Sequence, residues 1–110
     1  MILWPAVIQY AGQAALAYIS DQSQWDADQH LHAFNYQVAD RLIDSSGKVY
    51  SLSSRLHERA VPEFNGASIS LDEAIQLIRA HTAQIGHCCA AKLSAGSIEE
   101  AILLLGTLDE

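Results

Sequence analysis

The stretch DRLIDSSGKVYSL, residues 40–52, decides the fold of this 110-residue chain because it predicts a β-hairpin. Apolar residues stand on both sides of a polar turn. Asp44 can accept hydrogen bonds from backbone N–H groups two residues on, and Gly47 supplies the positive φ angle that a type I turn with a following bulge requires. Because the turn fixes the register of the two strands, it also fixes which side chains face the core.

A second hairpin is predicted before it. Residues 4–10 and 15–19 are short apolar runs, and the turn signal Ala11-Gly12-Gln13 separates them. A helix over 14–19 is the alternative, since alanine is a good helix former. A capped helical turn is predicted over 20–28, with Ser20 as the cap and Trp25 as a packing anchor.

Residues 29–39 show no clear period, but apolar side chains alternate at Leu31, Phe34, Tyr36 and Val38, which favours a strand that begins here and leads into the central hairpin. His30 and His32 would then share one face of that strand. A metal site would need a third ligand, so exposed loop histidines are the preferred interpretation and metal binding the alternative.

The second half of the chain is predicted to be helical. Residues 62–66 contain proline, asparagine and glycine, which indicates a loop between the two halves. The capping boxes at 70–73 and 97–100 each begin a helix, and the first of these helices should run over 71–84. The small apolar segment 87–91 predicts a short strand, with a continued helix as the alternative.

The predicted fold class is therefore α+β. A small antiparallel sheet built from two β-hairpins packs one face against two C-terminal helices. The length suits a single globular domain over 1–110, β-rich over 1–60 and helical over 70–108.

The net charge is −7, with six Lys and Arg against thirteen Asp and Glu. Because nucleic acids and anionic membranes are bound through clustered cations, this balance argues against both partners. Cations are concentrated only over 41–59, at Arg41, Lys48, Arg55 and Arg59. These four residues form a candidate anion-binding site, and an ordinary charged surface is the alternative.

The two cysteines, Cys88 and Cys89, are adjacent. Neighbouring cysteines rarely bridge, so no disulfide framework is expected and the cytoplasm is the predicted compartment. The segment His81–Cys89 also contains His87 and could serve a metal- or thiol-dependent protein. Adjacent cysteines on a strand face apart, however, so no metal site or cofactor is predicted and buried cysteines are the preferred interpretation.

The C-terminal helix is apolar nearly all round. Its core stripe leaves out Leu103 and Leu104, which predicts an interface with a partner or a second copy. The alternative is that only Leu104 is exposed.

No nucleophile elbow, P-loop, dinucleotide-binding glycine pattern or zinc-protease motif is present in the sequence. No catalytic residue is therefore predicted. The favoured function is a non-enzymatic binding or regulatory module that binds a protein partner or homodimerises.

Three stretches, WPAVI at 4–8, DRLIDSSGKVY at 40–50 and SLDEAIQLI at 70–78, resemble a family of small bacterial proteins known only as a domain of unknown function. The central hairpin is also similar to strand pairs of SH3-like barrels. Neither resemblance implies catalytic residues.

Overall fold

The computed structural model describes residues 2–33, 36–56, 59–84 and 95–108. The strands are β1 (Ala6–Gln9), β2 (Leu16–Ile19), β3 (Arg41–Ile43), β4 (Lys48–Ser51), β5 (Arg55–Leu56), β6 (Arg59–Ala60) and β7 (Glu63–Ser68). The helices are α1 (Gln22–Ala27), α2 (Gln29–Ala33), α3 (Leu71–Gln84) and α4 (Ile98–Leu108). The predicted α+β class is confirmed.

Within these ranges the main sheet has five strands in the order β2-β1-β3-β4-β7. All neighbouring strands are antiparallel. Both predicted hairpins are present, as β1–β2 and β3–β4. The loop expected over 62–66 is wrong, because Glu63–Ser68 forms the edge strand β7. All six of its residues are exposed, and its sequence, EFNGAS, lacks the apolar alternation that identifies a strand.

One face of the sheet packs against the two long helices, as predicted. Val7, Ile43 and Val49 form this face, and Ile78 of α3 and Leu105 of α4 pack on it. Burial of each large aliphatic side chain stabilises the fold by about 1.5–3 kcal/mol. This cluster joins the β-rich first half of the chain to the two helices of the second half.

The opposite face of the sheet is covered as well, which no pattern in the sequence indicates. Ile8, Leu42 and Tyr50 point to this side and pack with Trp25 of α1 and Ala60 of β6. The covering elements are only two to six residues long, too short to show a period in the sequence. Trp25 is 3% exposed, which confirms its role as a packing anchor.

The strand predicted over 29–39 is wrong. Residues Gln29–Ala33 form α2, and none of the described residues up to Asp40 belongs to a strand. The cap of α1 is also one residue later than predicted, since the Asp21 side chain accepts the Gln24 N–H at 2.8 Å.

The helix predicted over 71–84 is confirmed throughout those residues. At its start the Glu73 N–H donates to Ser70 Oγ at 3.2 Å and the Ser70 N–H donates to Glu73 Oε1 at 3.4 Å, which is the capping box. The strand predicted over 87–91 lies outside the described residues. No helix in the described ranges is both long and apolar enough to cross a membrane.

Two buried carboxylates hold the ends of β3. Asp44 is fully buried, and its Oδ1 accepts the N–H groups of Ser46 at 2.9 Å and Lys48 at 3.1 Å. Asp40, at the other end, accepts the N–H groups of Ala11 at 2.6 Å and Gln37 at 2.7 Å. The predicted role of Asp44 in the turn is confirmed, and Asp40 holds the start of the hairpin.

Candidate functional site

A groove lies between the short helices α1 and α2 and the β5–β6 ribbon. Its volume is about 300 Å³, at the lower end of the range for small-molecule sites. The floor and walls are largely apolar, with charged groups at one side. The described lining residues are Trp25, Asp26, His32, Leu56, Arg59, Ala60, Val61 and Pro62.

His32 fixes the ribbon to α2. Its side chain is 5% exposed and packs edge-on against the Trp25 ring, with the ring centroids 4.8 Å apart. The Ala60 N–H donates to Nδ1 at 3.2 Å, so Nδ1 must be an acceptor. The neutral ring then carries its proton on Nε2, which donates to the Trp25 carbonyl at 2.8 Å. Both ring nitrogens are therefore used in holding backbone groups.

Arg59 stands at the rim of the groove with a side chain 48% exposed. Its Nη2 donates to the Asp26 carbonyl oxygen at 2.9 Å and lies 3.7 Å from Asp26 Oδ1. Nη2 is also 3.1 Å from His32 Nε2. Because Nε2 carries a proton, this approach joins two donors and is not a hydrogen bond.

The four cations of the predicted anion site are not all together. Arg55 joins the groove region, since its Nη2 donates to the His32 carbonyl at 2.6 Å. Arg41 lies on β3 opposite Ser51, at the far end of the central hairpin from its turn. Its Nε donates to a glutamine side chain of β1 at 2.7 Å.

Lys48 lies beside the hairpin turn, with Nζ 5.7 Å from the centroid of the Phe64 ring. This is a cation–π contact across β4 and β7. Arg59 therefore lines the groove and Arg55 contacts the neighbouring His32 carbonyl, whereas Arg41 and Lys48 lie on the main sheet.

The two leucines of the predicted interface differ in exposure. Leu103 is 46% exposed, whereas Leu104 is half-buried. The alternative in which only Leu104 is exposed is therefore wrong, because Leu103 is the more exposed of the two. Helix α4 packs closely on β2 at Gly106, where a Cβ atom would lie 2.5 Å from the Tyr18 ring.

The His81–Cys89 segment is described only in part. His81 is 5% exposed, and its Nδ1 accepts the Leu16 N–H at 2.9 Å, which ties α3 to β2. That nitrogen is therefore used in the fold. His87, Cys88 and Cys89 lie outside the described residues. Among the residues that are described, no three His, Cys, Asp or Glu side chains form a group that could hold a metal ion.

No local sequence pattern indicates that Asp26 and His32 line the same groove as Arg59. The H-x-H pair singled out His32, but its interpretation as an exposed loop histidine is wrong, because the side chain is 5% exposed and belongs to α2. The contact between His32 and Arg59 spans 27 residues of sequence, and no local pattern encodes it.

The fold and its groove define a small α+β domain with an antiparallel sheet covered on both faces. The chain belongs to the DUF4144 family, whose model, described as a protein structure with unknown function, matches residues 4–105. The resemblance to a domain of unknown function is thus confirmed. No curated protein matches the chain.

The chain is also similar to a protein from Shewanella amazonensis whose structure was solved by NMR. The two sequences are 28% identical, and the TM-score is 0.68. The match covers 100% of this chain and 92% of the other.

Proposed function

We propose that this protein is a non-enzymatic binding module that holds an acidic segment of a partner protein in the groove. The observation that carries the proposal is the half-exposed Arg59 side chain at the rim of a largely apolar groove. We place the module in the cytoplasm, in keeping with the adjacent Cys88 and Cys89.

The geometry of Arg59 favours an anionic ligand. A guanidinium has five N–H donors in a rigid fork, which matches a carboxylate. All of its polar contacts with described residues are made through Nη2. The donors on Nε and Nη1 therefore provide the site for an incoming carboxylate.

The walls of the groove favour a peptide with apolar residues beside the acidic one. Leu56 is 61% exposed on β5, and Val61 and Pro62 continue the apolar surface beyond β6. A volume of about 300 Å³ suits a short segment better than a folded surface. Affinity would come from the apolar contacts, and orientation from the ion pair with Arg59.

A binding role fits the chemistry of His32 better than catalysis. A general base must offer a ring nitrogen to the substrate. Both nitrogens of His32 instead hold the Ala60 N–H and the Trp25 carbonyl. The histidine supports the groove wall.

The test is fluorescence anisotropy with a labelled apolar peptide that carries one central glutamate. Arg59→Gln should weaken binding about 10- to 100-fold, the usual loss for a charge-assisted hydrogen bond. Arg41→Gln is the matched control, since it removes the same charge from the main sheet and should change the affinity less than twofold. A peptide with glutamine in place of glutamate should bind as weakly to the natural protein as the glutamate peptide binds to the Arg59 variant. Equal binding of the glutamate peptide to all three proteins would refute the proposal.

Self-association through α4 is the second candidate, favoured by the exposure of Leu103. Light scattering coupled to size exclusion would measure the mass at rising concentration. Leu103→Lys should convert a dimer to a monomer. Val38→Lys is the control because Val38 is an 89% exposed residue of the turn before β3. A natural protein that stays monomeric at every concentration would remove this candidate.

A further inference from the structure

The Asp26 carboxylate lies beside the ligand-facing arginine of the groove. Its Oδ1 is 3.7 Å from Arg59 Nη2, and its carbonyl oxygen accepts a hydrogen bond from the same nitrogen at 2.9 Å. The Asp26 side chain is 56% exposed, so it also faces an incoming ligand. The remaining polar contact of the carboxylate is with Gln22, whose Nε2 donates to Oδ1 at 3.0 Å.

This pairing changes what Arg59 offers to an anion. The positive and negative charges of the pair largely cancel for a ligand a few ångströms away. A ligand still gains the directed hydrogen bonds of the guanidinium, because these depend on contact geometry. A second negative charge on the ligand gains little, since its attraction to Arg59 is offset by repulsion from Asp26.

We propose that Asp26 sets the charge selectivity of the groove, so that the site accepts a monoanionic carboxylate and gives no advantage to a phosphate dianion. The ligand class is a glutamate or aspartate side chain within an apolar peptide segment. This inference rests on the proposed function, because it concerns the same groove and the same arginine.

The variant Asp26→Asn tests the inference with little disturbance of the fold. An asparagine oxygen can still accept the Gln22 hydrogen bond, and the backbone carbonyl that holds Arg59 is unchanged. Asp72→Asn is the matched control. It removes one acidic charge from the exposed first turn of α3, away from the groove.

Three labelled peptides of the same apolar sequence would be compared by anisotropy, with a central glutamate, glutamine or phosphoserine. A phosphoserine carries about −1.5 to −2 charges at neutral pH. The natural protein should bind the glutamate and phosphoserine peptides within about threefold of each other. Asp26→Asn should strengthen phosphoserine binding about tenfold and glutamate binding only about threefold, and this difference should shrink in high salt. Asp72→Asn should leave both affinities unchanged.

The outcomes separate this inference from the proposed function. If Asp26→Asn leaves the ratio of the two affinities unchanged while Arg59→Gln still abolishes glutamate selectivity, the inference is wrong and the proposed function stands. If Arg59→Gln has no effect on any peptide, the proposed function itself fails. Circular dichroism of each variant, with Asp26→Ser as a second substitution, checks that a change in binding does not reflect unfolding.

Discussion

Asp44 offers the sharpest test of how this fold is held together, and the perturbation is Asp44→Asn. The carboxylate is 0% exposed. Its Oδ1 accepts two backbone N–H groups and the Ser46 hydroxyl at 2.6 Å. Its Oδ2 accepts the Leu3 N–H at 3.2 Å and the Tyr50 hydroxyl at 3.4 Å. One side chain thus ties the N-terminal segment, the hairpin turn and β4 together.

The magnitude follows from what an amide can replace. Its oxygen can take the place of Oδ1 and keep three bonds, but without the charge, which roughly halves their strength. Its NH₂ group then faces the Leu3 N–H, so one donor loses its acceptor at a cost of about 1–3 kcal/mol. We expect a loss of about 2–4 kcal/mol in the free energy of unfolding, a large part of the 5–15 kcal/mol typical of a domain. Asp44→Ala should cost about 4–5 kcal/mol, since all five bonds are lost.

Equilibrium urea unfolding, followed by circular dichroism, would measure these losses. At a slope of about 1.5 kcal/mol/M, a 3 kcal/mol loss lowers the midpoint by about 2 M. The control is Asp72→Asn, which changes an exposed aspartate and should stay within about 0.5 kcal/mol of the natural protein. If Asp44→Asn also stays within that margin, the buried carboxylate does not organise the hairpin.

Three further predictions use the same unfolding assay. Gly47→Ala should cost about 2–4 kcal/mol, because φ is +88° and the new Cβ would lie 2.7 Å from an α4 side chain and 2.8 Å from a carbonyl oxygen. Gly12→Ala, at φ +73° with no atom within 4 Å, is its control and should cost about 1 kcal/mol. Burial raises the pKa of Tyr50 above its ordinary value of 10.0. Its contribution to stability should therefore be complete below pH 10 and be lost as the pH rises through the folded-state pKa, whereas Tyr50→Phe should show a shallower decline. Ser70→Ala should cost about 1 kcal/mol through loss of the Glu73 N–H acceptor, and no measurable loss would contradict the capping assignment.

The strongest local patterns predicted their structures well. The capping box at Ser70 specified α3 because the cap and the apolar stripe lie within one continuous segment. The central hairpin was equally clear, since Asp44 and Gly47 each meet a geometric requirement of the turn. Such signals concern residues a few positions apart, where backbone geometry alone decides the outcome.

The two wrong predictions, the loop over 62–66 and the strand over 29–39, have the same physical cause. Strand β7 has six exposed residues, and it is a strand because β4 offers it a hydrogen-bonding edge. The segment 29–39 shows no clear period in the sequence, and its first residues form α2, where the buried ring of His32 accepts the Ala60 N–H. In both places a partner distant in sequence overrides the local preference.

The candidate site shows the same contrast between local sequence signals and contacts distant in sequence. Composition and charge identified the four cations, and one of them, Arg59, lines the groove, while Arg55 donates to the carbonyl of the lining residue His32. Arg41 and Lys48 lie on the main sheet instead, where the register of β3 and β4 fixes their positions. The sequence offered no sign that Asp26 would lie 3.7 Å from Arg59, since 33 residues separate them.

By itself, the sequence determined the α+β class, both hairpins, the start of α3, the packing role of Trp25 and the turn role of Asp44. These features depend on turn chemistry, capping and apolar periodicity, which act over short stretches of chain. Only the tertiary structure decided the fifth strand, the cover on the second face of the sheet and the groove that joins Asp26, His32 and Arg59. Those features arise from contacts between elements that are too short or too polar to show a recognisable pattern in the sequence. The contacts form only when the folded sheet holds these elements next to one another.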